Sequence, residues 1–401
     1  MKEKIKLSSA VSYSKKRLNT ESLNIETFIT TDNLLTNKLG VKTATALPPN
    51  GEFFPAYYPN NILISNIRPY LKKIYFSNTS GICSSDVLNF TTNPEFSPRF
   101  IYYNLHQDAF FEHMMKGAKG TKMPRGDKNQ ILDFEIPNFP IDYQQKIANI
   151  LTDIDNKIAL NNKLNDNLEQ MAKTLYDYWF VQFDFPNENG KPYKSSGGKM
   201  VFNEVVKREI PEGWEVKSLY DIAEFINGLA CQKYRPLNEN EDYLAVIKIK
   251  EMNDGLSQNT EKVTVDIPEK HKIYDGDVLF SWSATLDVKI WSLGKGALNQ
   301  HIFKVTSSKY PKYFYFFEIS NYLQHFKMMA ELRKTTMGHI TKDHLIESRI
   351  SVPPLKIITE LEKIIDPYLE NILTNRKQNQ QLSDLRDWLL PMLMNGQVKV
   401  E

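Results

Sequence analysis

Hydrophobic positions between residues 141 and 180 recur in heptads. Ile147, Leu151, Ile154, Ile158, Leu168, Ala172, Leu175 and Trp179 fall on one seam, at the alternating four- and three-residue steps of a helix that packs against another. The stretch holds neither Gly nor Pro, so the pattern predicts one helix of roughly 60 Å. Two seam positions near its middle, Asn161 and Asn165, are polar.

The same pattern returns 214 positions later. Ile147 falls on Leu361, Leu151 on Ile365, Ile158 on Ile372 and Leu175 on Leu389, and the two asparagines fall on Asn375 and Asn379. Residues 119–180 match 333–394 without a gap. One long helix can be filler, but two copies at a fixed interval indicate a duplicated unit. The second helix is predicted from Pro353-Pro354 to about Leu390, with Pro391 and Gly396 beyond.

Outside the helices the period shortens. Short β-rich runs at 28–31, 62–65, 73–76 and 87–91 are separated by turn clusters such as Pro49-Asn50-Gly51. A helix is predicted over 97–115, with Phe100, Tyr103, Phe110 and Phe111 on its core face, then a basic loop over 116–126. The strands recur in the second half: 277–281 matches 61–65, 289–291 matches 73–75, and Ile302-Phe303 matches Val87-Leu88. The intervening loops differ almost throughout. A repeated scaffold with diverged loops suggests one binding task performed on two targets. The expected domains are 1–138 and 214–350, with helical spacers at 139–186 and 351–401. A Gly-, Ser- and Pro-containing linker is expected at 187–213.

Composition changes this picture little. The 401 residues hold 50 Lys+Arg against 48 Asp+Glu, 41% hydrophobic and 24% charged residues, as in a globular protein. The two cysteines, Cys83 and Cys231, make no disulfide framework, and the N-terminal residues lack an apolar signal segment. A cytoplasmic protein is expected. Charge is uneven, with 17 Lys+Arg against 12 Asp+Glu in residues 1–140 and 4 against 6 in 141–180. The first globular segment is therefore a better partner for phosphates than the helices.

Catalytic motifs are missing. There is no phosphate-binding loop, and Gly294-Lys295-Gly296 lacks the frame of one. Asn93-Pro94-Glu95-Phe96 lacks the second proline of an adenine-methyltransferase signature and reads as a turn before a helix. Glu215-Val216-Lys217 has no upstream Pro-Asp to complete a nuclease pair and reads as a surface strand. The seven histidines do not cluster at metal-ligand spacing, and no metal site is expected.

Basic and hydrogen-bonding loop residues remain. In the first domain they are Arg68, Lys72, Lys73, Lys119, Thr121, Lys122, Arg125 and Lys128. In the second they are Trp282, Lys289, Arg333, Lys334, Thr335, Thr336, His339 and Lys342. Such side chains meet phosphates and read base edges in the major groove of double-stranded DNA. His301 aligns with Asp86, so an imidazole there is not required by the fold.

Several runs are similar to those of specificity (S) subunits of Type I restriction–modification systems. They are Phe139-Pro140-Ile141-Asp142-Tyr143-Gln144-Gln145-Lys146-Ile147-Ala148, Trp179-Phe180 with Phe183, Phe185 and Pro186, the run 190–200, and Ile210-Pro211-Glu212-Gly213-Trp214. The start of the second helix departs, with Ile357 and Ile358 where Glu-Gln is usual. The resemblance implies an α+β fold of two mixed target-recognition domains and two long helices packed as an antiparallel coiled coil about a pseudo-two-fold axis. It implies a non-catalytic subunit that binds a bipartite DNA target and binds no cofactor itself. Two methylation subunits would carry S-adenosylmethionine, and two motor–nuclease subunits would use ATP and Mg. A stand-alone DNA-binding regulator would show a helix-turn-helix or zinc site, and neither is present. A coiled-coil scaffold would leave two diverged basic domains without a purpose.

The seam asparagines carry a register expectation. Asn161 lies near the middle of the first helix and Asn375 is its repeat mate, so the two are expected to face each other on the axis. Buried polar pairs penalise slipped registers, and the helix pair would then set the separation of the half-sites.

Overall fold

The computed structural model of the chain describes residues 3–19, 24–48, 51–238, 241–257, 259–332 and 339–400. These form two compact units, one of residues 1–158 with 381–401 and one of residues 159–380. Two long helices, Ile141–Tyr176 and Leu355–Met394, contribute to both. The second runs through Pro391 instead of ending before it. The first closes in a π-helical turn, Asp177–Val181, which buries Trp179 and Phe180.

The first unit has two four-stranded sheets. One is antiparallel, in the order Val11–Tyr13, Val87–Thr92, Ile62–Ser65, Ile74–Phe76. The other runs Arg17–Asn19, Phe53–Tyr57, Gly81–Cys83, Phe28–Ile29, its last pair parallel. Ile62–Ser65 is buried along its whole length, which is why it reads as an apolar run without alternation. The helix predicted over 97–115 is two helices, Pro98–His106 and Asp108–Lys116, because Gln107 between them is extended at ψ 147. Phe100, Tyr103, Phe110 and Phe111 are all buried. They share a core with Ile147 and Leu151 of the first long helix and Leu390 and Leu393 of the second.

The second unit repeats the plan. Its antiparallel sheet runs Glu224–Asn227, Ile302–Thr306, Val278–Ser281, Asp287–Ile290. The other sheet again has one parallel pair, here at its centre and not at its edge, Tyr243–Ile247 with Gly296–Leu298, and Lys272–Ile273 lies on the far side of Gly296–Leu298. The copies differ in where the fourth strand is added. Arg17–Asn19 extends the antiparallel side in the first unit, whereas Lys262–Thr264 extends the parallel side in the second. The helix corresponding to the broken pair, Lys312–Leu332, is continuous.

The segment expected as a linker is folded. Met200–Asn203 and Arg208–Pro211 form a hairpin. Phe185 stacks on Tyr193 with ring centroids 4.6 Å apart, and Phe183 and Phe185 both pack on Trp214. The Asp184 carboxylate accepts hydrogen bonds from Ser195 N and Oγ at 2.7 and 2.6 Å, which holds its pKa below the usual carboxylate value. Aromatic burial outweighs the Gly and Ser content here.

The helices run antiparallel within each unit. In the second, Asn161 Nδ2 donates to Asn379 Oδ1 (2.8 Å) and Gln378 Oε1 (2.7 Å), and Asn375 Nδ2 donates to Asn165 Oδ1 (2.9 Å). Asn161 therefore pairs with the repeat mate of Asn165, and not with Asn375 as expected. A local two-fold axis passes between the two asparagine pairs. Seam residues of an antiparallel pair interdigitate, so a residue faces the neighbouring layer of its partner and not its own equivalent. In the first unit Arg386 Nη1 donates to Asp155 Oδ1 (2.9 Å) and Tyr103 OH to Asp155 Oδ2 (2.7 Å).

The start of each long helix is seated differently. Ser97 N donates to Gln144 Oε1 (3.0 Å), and Gln144 Nε2 donates to Phe139 O (2.8 Å). The equivalents of Ser97 and Gln144 are Pro311 and Ile358. Proline offers no N–H, and Ile358 is fully buried. The polar contact and the need for it disappear together, which explains the departure seen in the sequence.

Candidate nucleic-acid interface

In the first unit three loops meet at one end of the antiparallel sheet. The turn after Ile62–Ser65 contains Arg68 and Lys72, both in left-handed backbone at φ 51. Such φ values are uncommon for residues with a side chain, and backbone contacts hold them. Arg68 N donates to Pro124 O (2.8 Å), Gly126 N to Asn66 O (3.2 Å), and Asn66 N to Asp86 O (2.9 Å). The basic loop is closed on itself by paired hydrogen bonds between Lys119 and Arg125. Gly126 fits closely at this crossing, where a Cβ would lie 2.9 Å from the side-chain atoms Asn66 Oδ1 and Ile131 Cδ1.

The same stitches recur in the second unit. Ile340 N donates to Trp282 O (2.9 Å) and Trp282 N to His301 O (3.3 Å). Ala284, the equivalent of Arg68, has φ 57. Buried serines tie both turns, Ser65 Oγ donating to Ile67 O (2.9 Å) and Ser281 Oγ to Thr285 O (2.6 Å).

Side chains on this framework divide into two groups. Lys73 and Lys289, equivalent in the repeat, turn inward. Lys73 Nζ donates to Thr31 O, and burial lowers its pKa. Lys289 Nζ donates to Asn253 Oδ1 (2.8 Å) and Met252 O (3.3 Å) and pairs with Asp287. Both act as ties within their own unit. Lys72 shares the Asp108 carboxylate with Lys38, at 2.8 and 2.7 Å. Together the two lysines hold that carboxyl below its usual pKa against the opposing effect of burial. Arg68 is half-buried, with its Nε unpartnered.

The second group faces solvent. Thr121, Lys122 and Lys128 are exposed, Lys128 lying over the Tyr13 ring. Lys119 is largely exposed and within 3.4 Å of Asp127. Arg125 is exposed and holds the Asp86 carboxylate at 3.1 Å. In the second unit the Trp282 ring lies 5.6 Å from His301 and 5.4 Å from His339, and Trp282 Nε1 donates to Asn227 Oδ1 (3.3 Å). Lys342 stacks over Tyr220 at 4.6 Å. Arg333, Lys334, Thr335 and Thr336 lie outside the described residues. Asp86, Asn227 and His301 join the cluster without having been singled out. Only the alignment of His301 on Asp86 marked the place. Glu215 and Lys217, weighed as half of a nuclease pair, form an ion pair on the half-buried strand Glu215–Ser218.

Comparison with known proteins gives this repeat a family. The model described as "Type I restriction modification DNA specificity domain" matches residues 13–170 and again 211–384. The chain belongs to that family. It is 25% identical over 316 residues to the Type I restriction enzyme MjaIX specificity subunit of Methanocaldococcus jannaschii, covering 75% of this chain and 69% of that one. It is 24% identical over 443 residues to the HindI specificity subunit of Haemophilus influenzae, covering 92% and 94%. A crystal structure of a Type I S subunit from M. genitalium has the same fold, with TM-score 0.54, 14% identity and coverage of 98% and 96%. The duplicated scaffold is therefore two DNA specificity domains, and the chain's role is DNA target specificity in Type I restriction–modification. Among the described residues no helix is long and apolar enough to cross a membrane.

Proposed function

We propose that the chain binds a bipartite double-stranded DNA target, one half-site for each specificity domain, and has no catalytic activity of its own. The observation that carries this reading is the repeat itself. The two loop clusters share backbone stitches and turn geometry, yet present an Asp–Arg pair in one copy and a His–Trp–His group in the other. One framework with two chemistries suits two different half-sites. In this reading residues 1–138 choose one half-site and residues 214–350 the other. The helix pair sets the number of unread base pairs between them. Two methylation subunits, carrying S-adenosylmethionine, dock on the helices, and two motor–nuclease subunits using ATP and Mg complete the restriction complex.

Sequencing DNA methylation in cells with and without the gene tests the proposal. Deletion is expected to remove one bipartite methyladenine motif and leave every other motif in place. An unchanged methylation pattern in cells that express the intact system would refute it.

A further inference from the structure

We propose that Asp86 with Arg125 in the first domain, and His301 with His339 in the second, are equivalent base-reading pairs, each set on the same position of its half-site. This rests on the reading of each domain as the reader of one half-site. The pairs are equivalent by backbone and not by sequence alone. Asp86 O and His301 O each accept from the residue that opens the turn, Asn66 or Trp282. The carbonyl of that opening residue then accepts from the chain just past Arg125 or His339, through Gly126 N or Ile340 N. Both pairs are thus fixed to the same three-loop crossing, one side chain from each flanking loop.

Burial separates framework from reader. Ser65 and Ser281, and Val87 and Ile302, are buried and keep their character between copies. Asp86 and Arg125 have side-chain exposures of 42% and 58%, and His301 and His339 are exposed. Here every residue type changes. The backbone crossing is retained although Asn66 and Gly126 are replaced by Trp282 and Ile340, and outward side chains that differ on a retained backbone are what a change of target requires.

The chemistry gives each pair a preference. Asp86 holds one Nη of Arg125 and so orients a fork whose other donors remain outward. A guanidinium fork fits guanine O6 and N7, and a neighbouring carboxylate accepts from cytosine N4. The first pair therefore reads one G·C base pair in the major groove. The second pair has no fork. Two imidazoles beside the Trp282 ring offer single hydrogen bonds next to an aromatic face, so the equivalent position is read without a bidentate guanine contact.

The test uses the full chain assembled with its methylation subunit, methylating a randomised DNA library that is then sequenced. The wild-type complex is expected to give a bipartite motif. Arg125→Ala and Asp86→Asn should each weaken the preference at one and the same G·C pair, about tenfold or more for Arg125→Ala. His301→Ala and His339→Ala should loosen only the equivalent position of the other half-site. In every variant the untouched half-site reports a folded complex. A bipartite wild-type motif with no positional change in the variants would overturn the pairing alone. So would a uniform loss over all sequences, or effects of Arg125 and Asp86 on different base pairs. A wild-type complex that yields no bipartite motif would overturn the underlying reading with it.

Discussion

Glu318 shows how one side chain couples a specificity domain to a long helix. It is buried on Lys312–Leu332, and its Oε1 accepts from Tyr176 OH, on the first long helix. Burial raises its pKa from 4.5 to about 7, against the opposing effect of the Tyr176 hydrogen bond. Between those values the folded chain holds a proton that the unfolded chain has released. The stabilisation is complete below about pH 4.5 and is lost as pH rises through 7, by up to about 3 kcal/mol. Glu318→Gln keeps an acceptor for Tyr176 and removes the titration. Thermal melts of the variant should be flatter than wild type from pH 4.5 to 7, and parallel curves would show that Glu318 does not titrate there. The equivalent of Glu318 in the first domain is Asn104. There the link to the helices is the Tyr103–Asp155–Arg386 chain of hydrogen bonds. Residues that seat each domain have thus diverged along with those that face solvent.

At the scale of elements, the asparagine layer is the polar centre of an otherwise apolar seam. Asn161 and Asn165 are 2% and 5% exposed. Asn165→Ala leaves the Asn375 amide without its acceptor and should lower stability by about 1–2 kcal/mol in urea unfolding. Replacing Asn165 and Asn375 together by Leu should recover most of that loss, since an apolar pair fills the seam as well as a polar one. A double variant as unstable as the sum of the single changes would contradict this account of the seam. The long helices were legible because heptad spacing survives any tertiary context, and the repeat was legible because gapless identity of pattern needs no structure. Other features depended on distant partners. The break at Gln107, the folded segment around Trp214 and the one-layer offset of Asn161 are decided by aromatic burial and by how the helices interdigitate. Local propensity does not encode either. The candidate interface was legible only as a set of loops. Charge marked Arg125 and Lys119, but it also marked Lys73 and Lys289, which the fold turns onto backbone carbonyls of their own units.

For the whole molecule, we propose that two specificity domains of one family choose two DNA half-sites independently. Each has its own pair of sheets and its own core. The loops that differ are carried by each domain separately. The most direct measurement exchanges residues 1–138 for the matching segment of a relative with a different target, then maps adenine methylation in cells carrying the hybrid. One half of the bipartite motif is expected to change to that of the donor while the other half is retained. A motif in which both halves change, or in which neither does, would contradict it.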